Sequence, residues 1–444
     1  MAKSKLEQFI KQPRRSLIYL SIPAIASAMV ETFYNLTDTF FIGRLGAEAL
    51  AAMTFSFPLF FMLVSLSLGI NAGMGSRISR YIGEGNKRQA ENTAIHGLAL
   101  SLVISLLIAL IAIPLLPFLF KVLGAQGIVL SYAISYTAII LAGSLFMFLS
   151  YALSSFFAAQ GDTKTAMKID VYSLIANMIL TPIFMFVFDM GIAGAALATV
   201  LSVIYAFVLA LYYLRDSYLT LSLKKFKYSS SIIKEIFEVG FPSTLMMLTI
   251  SFYVVFLNRA MAHFSVEHVA AFGVVSRLET VVTLPVFGLS IGAMTLAGMF
   301  FGAKKYKLLK DVSKFSLWLG VGTSIIIGFF FFLFARVFLR FFTSDASVIA
   351  VGVPYMMLDA LTFPTMAVAM IASRVMQAMG YGLPGFVINA VRVFVVAIPL
   401  AYFFVFVMGY GYLSIAIAMI MGGIASNIVS LVWLKRVFKK QSIA

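Results

Sequence analysis

Long apolar runs follow one another along almost the whole chain, each bounded by a few charged residues or by Gly and Pro, and this pattern constrains the fold more than any single motif. A membrane-crossing helix needs roughly 20 mostly apolar residues. Runs of that kind lie near residues 16–42, 48–76, 93–120, 128–159, 166–188 and 191–214, and again near 236–260, 268–300, 313–340, 348–378, 384–408 and 411–434. The composition agrees: 62% of residues are hydrophobic and 11% charged, where a soluble domain carries about a quarter charged residues. The expected fold is all-α, a polytopic membrane protein of 12 transmembrane helices in two pseudo-symmetric six-helix bundles.

The basic residues give the orientation, because Lys and Arg of short loops stay on the cytoplasmic side. Taking alternate loops together puts 26 of them on the face of the two termini and 5 on the other, namely Arg44, Lys121, Arg259, Arg336 and Arg340. Both termini are therefore expected in the cytoplasm, with the chain in the cell membrane. The formal charge of +16 does not indicate nucleic acid, since the basic clusters sit between apolar runs and no separate basic domain exists. With no cysteine there is no disulfide, thiolate metal site or Cys nucleophile. The N-terminal apolar run lacks a small-residue cleavage site and reads as a retained first span.

The longest polar connection, residues 215–235, divides an N-terminal bundle (1–214) from a C-terminal one (236–444). The halves resemble each other at a constant offset: Pro23 aligns with Pro242, Tyr34 with Tyr253, Glu48 with Glu267, Gly73 with Gly292 and Gly161 with Gly380. Six helices is an even number, so the repeats enter the membrane in the same sense, as in transporters whose halves rock about an axis along the membrane normal. Substrate and ion sites are then expected near mid-membrane, with the repeat-related Pro23 and Pro242 as hinges.

Ionisable residues inside a hydrocarbon layer are costly, so each is a functional candidate. Those singled out are Glu31 and Asp38 on the first span, Arg277 and Glu279 on the eighth, Asp359 on the tenth and Arg392 on the eleventh. Glu31 and Asp38 are two helical turns apart, on one face with Tyr34 and Asn35 beside them. Carboxylates with few counter-charges in a poorly hydrated bundle exchange protons readily. With Asn or Thr oxygens from other helices they could instead ligate Na⁺. The blander readings are a satisfied polar residue near a helix end for Asp38 and a vestibule side chain for Glu31. For Arg392 the reading is an inter-helix lock with Glu279 or Asp359. Flexible methionines such as Met53 and Met178 suit a cavity for bulky, loosely specified substrates. His96, His263 and His268 read as interfacial, and no two have a metal-ligand spacing.

The stretch Tyr34-Asn35-Leu36-Thr37-Asp38-Thr39-Phe40-Phe41-Ile42-Gly43-Arg44-Leu45-Gly46, with Ala49-Leu50-Ala51-Ala52 after it, resembles the first-helix signature of the multidrug and toxic compound extrusion (MATE) transporters. Gly73 to Gly85, Gln160-Gly161-Asp162-Thr163-Lys164-Thr165-Ala166-Met167 and Gly191-Ile192-Ala193-Gly194-Ala195-Ala196 add to the resemblance, which covers the whole chain. It implies two bundles around a central cavity and export of organic, often cationic, compounds driven by inward H⁺ or Na⁺. The chain is most similar to the DinF-like prokaryotic branch. That branch implies coupling inside the N-terminal bundle through Asp38, Asn177 and Thr199, with Na⁺ held at these three if Na⁺ is the ion. It often has an acid one turn after the Asn, where this chain has Thr181, and Glu31 is expected to replace it. The other branch places a Glu on helix 7, where this chain has Ser251 and Tyr253. Glu279, Asp359, Arg277 and Arg392, with Met53 and Met178, remain as substrate-cavity candidates.

A lipid-linked saccharide or lipid flippase of the same superfamily is the alternative, though anionic headgroups call for Arg clusters and the spans offer only Arg277 and Arg392. An intramembrane enzyme would need clustered acids or a His/Glu metal site, and a channel rings of charge or a carbonyl filter. Neither pattern occurs. With no nucleotide-binding loop, the expected drive is an ion gradient. One charge crossing 100 mV supplies about 2.3 kcal/mol, roughly fiftyfold accumulation per coupled cation. No cofactor is expected beyond H⁺ or Na⁺, the partners are small organic substrates and the bilayer, and a monomer suffices.

Overall fold

A computed structural model describes Lys5–Gln441 apart from Leu223 and Lys225. Twelve of its helices are long and apolar enough to cross a membrane. The first six are α1 (Pro13–Gly43), α2 (Ala47–Gly83), α3 (Lys87–Val122), α4 (Gly127–Ala159), α5 (Thr163–Val187) and α6 (Gly191–Asp216). The second six are α7 (Ser230–Ala262), α8 (Val266–Gly302), α9 (Tyr306–Leu333), α10 (Ala346–Ala378), α11 (Leu383–Val407) and α12 (Leu413–Lys440). Helix α2 and its repeat mate α8 have the same length, 37 residues, and α4 and α10 both have 33. The repeat extends to local distortion: α5 and α11 each end in a wide π turn, Ile183–Val187 and Phe403–Val407, followed by a left-handed residue, Asp189 or Gly409. Large apolar side chains point outward, Leu110 74% and Val122 70% exposed, as a surface facing lipid rather than water requires.

Close packing sorts the chain into two compact units that depart from chain order at two places. One unit is Met1–Glu7 with Ile22–Gly240; the other is Gln8–Ser21 with Phe241–Ala444. The division at 215–235 therefore does not coincide with the boundary of the units. The base of α1 packs within the second unit and the base of α7 within the first, and the chain changes unit at Ser21/Ile22 and Gly240/Phe241, next to Pro23 and Pro242.

Local chemistry explains both placements. In the first unit Ile232 and Ile236 join the core formed by Leu63, Ile70, Phe120 and Phe148. The Ile236 carbonyl rests where a side chain on Gly73 would be, and Glu235 pairs with Arg77 at 2.7 Å and Arg80 at 3.7 Å. In the second unit Leu17 and Ser21 lie against Gly292, and Arg14 pairs with Asp311 at 2.6 Å. Residues without side chains let helix backbones approach closely, the packing that substitutes for a hydrophobic drive inside lipid.

Helix ends also follow the repeat. The turn after α2 closes with Asn86 N–H donating to the Tyr81 carbonyl at 2.9 Å, through left-handed Gly85. Its mate after α8 closes with Lys305 N–H on the Phe300 carbonyl at 2.8 Å, but there the left-handed residue is Lys304. A Cβ in that conformation costs about 1 kcal/mol. Lys304→Gly is therefore expected to raise the thermal midpoint in detergent, and an unchanged or lower midpoint counts against the assignment.

Candidate functional site

The polar interior of the first unit is built on α1, α4, α5 and α6. On α1, residues Ser27, Glu31, Tyr34 and Asp38 recur at helical spacing on one face; on α5, Asp170, Ser173, Asn177 and Thr181 do the same. Small residues Gly194, Ala195, Ala196 and Ala198 bring α6 close, and a Cβ on Gly194 would stand 2.7 Å from the Phe184 backbone. That approach brings Thr199 between α1 and α5.

Asp38, Asn177, Thr181 and Thr199 are all buried, with Asp38 5% exposed and Asn177 and Thr181 fully covered. The Thr199 hydroxyl donates to Asp38 Oδ2 at 3.1 Å and is also 3.1 Å from the Ala195 carbonyl. Asn177 Nδ2 donates to Thr199 Oγ1 at 3.4 Å, and the Tyr34 hydroxyl reaches the Thr199 carbonyl at 3.4 Å. Three buried oxygens around this network, Asp38 Oδ1, Asn177 Oδ1 and Thr181 Oγ1, have no hydrogen-bond partner within the protein. Among the described residues no Lys, Arg or His lies within ion-pair distance of Asp38. A buried carboxylate without a counter-charge is expensive. Binding a proton or a small cation relieves that cost, and the ligands present are all oxygens, as hard cations prefer.

Glu31 lies apart from this network. More than a third of it is exposed, and its charged and polar neighbours are Asp170 and Tyr151. Asp170 is itself held by the Ser27 and Ser154 hydroxyls. Asp170 escaped the sequence reading because it follows Lys164 and Lys168 near the start of a span and looks like part of a basic loop; its position two turns before Asn177 was the available signal. The acid that joins Glu31 is thus on helix α5, at its opposite end from Thr181.

The second unit holds a different set. Asp359 is 1% exposed and accepts from the Thr362 hydroxyl at 3.3 Å through Oδ1, while Oδ2 has no partner. Glu279 and Arg392 are its charged neighbours. Among the described residues the three form no ion pair within 4 Å, and Arg392 Nε and the Tyr253 hydroxyl are also without partners. Arg392 sits in the π turn Val391–Ala397, where Gly422 packs on its carbonyl. The lock expected for Arg392 is not closed by direct contact. Arg277 is more than a third exposed, Met178 is 49% exposed, and Met53 Sδ lies 3.9 Å from the Thr39 hydroxyl.

Comparison with known proteins bears on the whole chain. The MatE family profile matches residues 23–183 and again 242–403, one match in each half, starting at Pro23 and Pro242. The probable multidrug resistance protein YoeA of Bacillus subtilis (strain 168) is 26% identical over 398 residues, 87% of this chain and 86% of the relative. The multidrug export protein MepA of Staphylococcus aureus (strain bovine RF122 / ET3-1) is 26% identical over 407 residues, 90% of each. A crystal structure of MATE in the straight conformation superposes with a TM-score of 0.95 at 27% identity, covering 100% of both chains. A MOP superfamily transporter from Pyrococcus furiosus Vc1 (DSM3638), described as having a binding pocket of reverse polarity, gives 0.94 at 27% identity over 99% of each. With both halves matched, twelve spanning helices and the same fold throughout, the chain is a multi-pass membrane protein that belongs to the MatE family of transporters.

Proposed function

We propose that this transporter is a secondary antiporter that exports organic, cationic or amphiphilic compounds in exchange for H⁺ or Na⁺, lying in the cell membrane with both termini in the cytoplasm and working as a monomer. The observation that carries the coupling reading is the buried Asp38 carboxylate, with one oxygen bonded to Thr199 and the other without a partner beside the bare oxygens of Asn177 and Thr181. A proton settles on Asp38; Na⁺ is held by Asp38, Asn177 and Thr199, with Thr181 beside them. Glu31 and Asp170 form a second acidic level on the same bundle, by which a cation reaches or leaves Asp38. Substrate contacts fall to Met53, Met178, Glu279, Asp359, Arg277 and Arg392. The two units move as bodies, and the chain flexes where it passes between them, at Pro23 and Pro242. The names of YoeA and MepA, both multidrug proteins, support the substrate class.

The test is ethidium efflux from energised cells in which the proton and sodium gradients are collapsed separately. Loss of efflux on removing one gradient alone identifies the coupling ion. Efflux that survives the collapse of both overturns the antiport reading, and the absence of any dye efflux under either favours a flippase.

A further inference from the structure

The connection between α6 and α7 is held at its two ends, Ser217 to Thr220 and Lys227 to Ser229, by side chains of the first unit. Gln160 Oε1 accepts from the Ser217 hydroxyl and the Leu219 N–H, both at 2.9 Å. Glu91 Oε1 accepts from the Thr220 N–H at 2.9 Å and its hydroxyl at 2.8 Å. Asn92 grips Lys227 twice, donating to its carbonyl at 2.8 Å and accepting from its N–H at 3.1 Å. His96 holds the last residue, with Nε2 3.0 Å from the Ser229 nitrogen. Glu91, Asn92, His96 and Gln160 are each at most 7% exposed. The segment is thus a strap seated in a built groove, and Ser229 at its end caps the first turn of α7 through its hydroxyl and the Ile232 N–H.

The geometry settles the imidazole's state. Nδ1 lies 2.8 Å from the Asn92 carbonyl, which can only accept, so Nδ1 carries the hydrogen. Nε2 faces the Ser229 N–H, which can only donate, so Nε2 must be bare. The seated strap therefore requires a neutral ring. A proton on Nε2 would set one N–H against another.

The other ionisable groups nearby stand on α2, α3, α7 and the strap. Lys87 and Glu91 on α3 pair with each other, and Arg77 and Arg80 on α2 hold Glu235 on α7. On the strap, Lys227 is exposed and bound through its backbone, and the Tyr228 ring lies tilted at 6.2 Å from that of His96. None of them supplies a bond to either ring nitrogen.

We propose that His96 is a pH-sensitive clasp, holding the strap and the base of α7 in place while the imidazole is neutral and releasing the Ser229 end when the ring is protonated. On the terminal face, read as cytoplasmic, protonation of the ring thus loosens the seat of α7. The clasp goes beyond the antiport reading and is tested without substrate or gradient.

The experiment is hydrogen–deuterium exchange of the purified protein at about pH 8 and about pH 5.5, either side of the histidine range, with rates corrected for intrinsic exchange. The Ser229 amide is expected to lose about fivefold of its protection at the lower pH, the worth of one hydrogen bond, while the Lys227 amide, held by Asn92, keeps its own. In His96→Gln the difference between the two pH values disappears. Equal Ser229 protection at both pH values in the wild-type chain overturns the clasp, as does the same loss in His96→Gln. The wild-type comparison of Ser229 with Lys227 decides the matter even where the variant does not fold.

Discussion

Asp38→Asn is expected to bring dye efflux down to the level of cells lacking the protein while the amount in the membrane stays the same. The amide has nearly the shape of the carboxylate and can still accept from the Thr199 hydroxyl, now 3.1 Å from Oδ2. What it cannot do is take up a proton or neutralise a cation, and no other acid reaches into the Asn177–Thr199 network. With the exchange step removed, uphill export has no drive, since one coupled charge is worth about 2.3 kcal/mol per 100 mV. Glu31→Gln serves as the contrast. Glu31 is open and adjoins Asp170 rather than Asp38, so its loss should slow efflux while leaving accumulation possible. Undiminished efflux in Asp38→Asn would sink the coupling assignment; equal losses in both variants would mean that the two acidic levels act as one site.

Gly73→Val is expected to cost the fold about 3 kcal/mol, at the upper end for overpacking a close-packed contact. A Cβ on Gly73 would collide with the Ile236 carbonyl, which is backbone and cannot rotate away. One turn further along, a Cβ on Gly240 would stand 2.8 Å from the Gly69 carbonyl, so α2 and the base of α7 touch backbone to backbone over two turns. Parting them also strains the Arg77–Glu235 pair and lifts Ile232 and Ile236 from the core. The measurement is the thermal midpoint and yield in detergent. Gly273→Ala on α8 is the control: nothing lies within 4 Å of its would-be Cβ, and a helical Gly replaced by Ala gains up to about 1 kcal/mol. A drop in both variants would show that the effect is not specific to the α2–α7 contact.

These contrasts bear on how much could be read in the chain alone. Span positions and the repeat follow from local composition: a stretch of about 20 residues either tolerates hydrocarbon or does not, whatever its neighbours. Helices α2, α3 and α4 begin at Ala47, Lys87 and Gly127, and α8, α9 and α10 begin 219 residues later at Val266, Tyr306 and Ala346, the offset visible in the matched prolines and glycines. Asp38 was legible because a charge in a span stands out against its surroundings. Asn177 and Thr199 were legible only through a family signature, because an Asn or Thr in a membrane helix is unremarkable until something is seen to face it.

The sequence by itself therefore determined that this protein is a helical membrane transporter of two repeated halves, with two acids, Glu31 and Asp38, in its first helix. The tertiary structure decided the pairings. It set Glu31 beside Asp170, and it seated the bases of α1 and α7 in the units opposite to those that chain order suggests. It also bound the connection to α7 against Glu91, Asn92, His96 and Gln160. The physical reason is that desolvation acts on each helix separately and is written in its composition. A carboxylate's neighbour or an imidazole's partner instead depends on which helix faces come together, and small residues such as Gly73 and Gly292 mark where backbones can approach without naming the backbone that does.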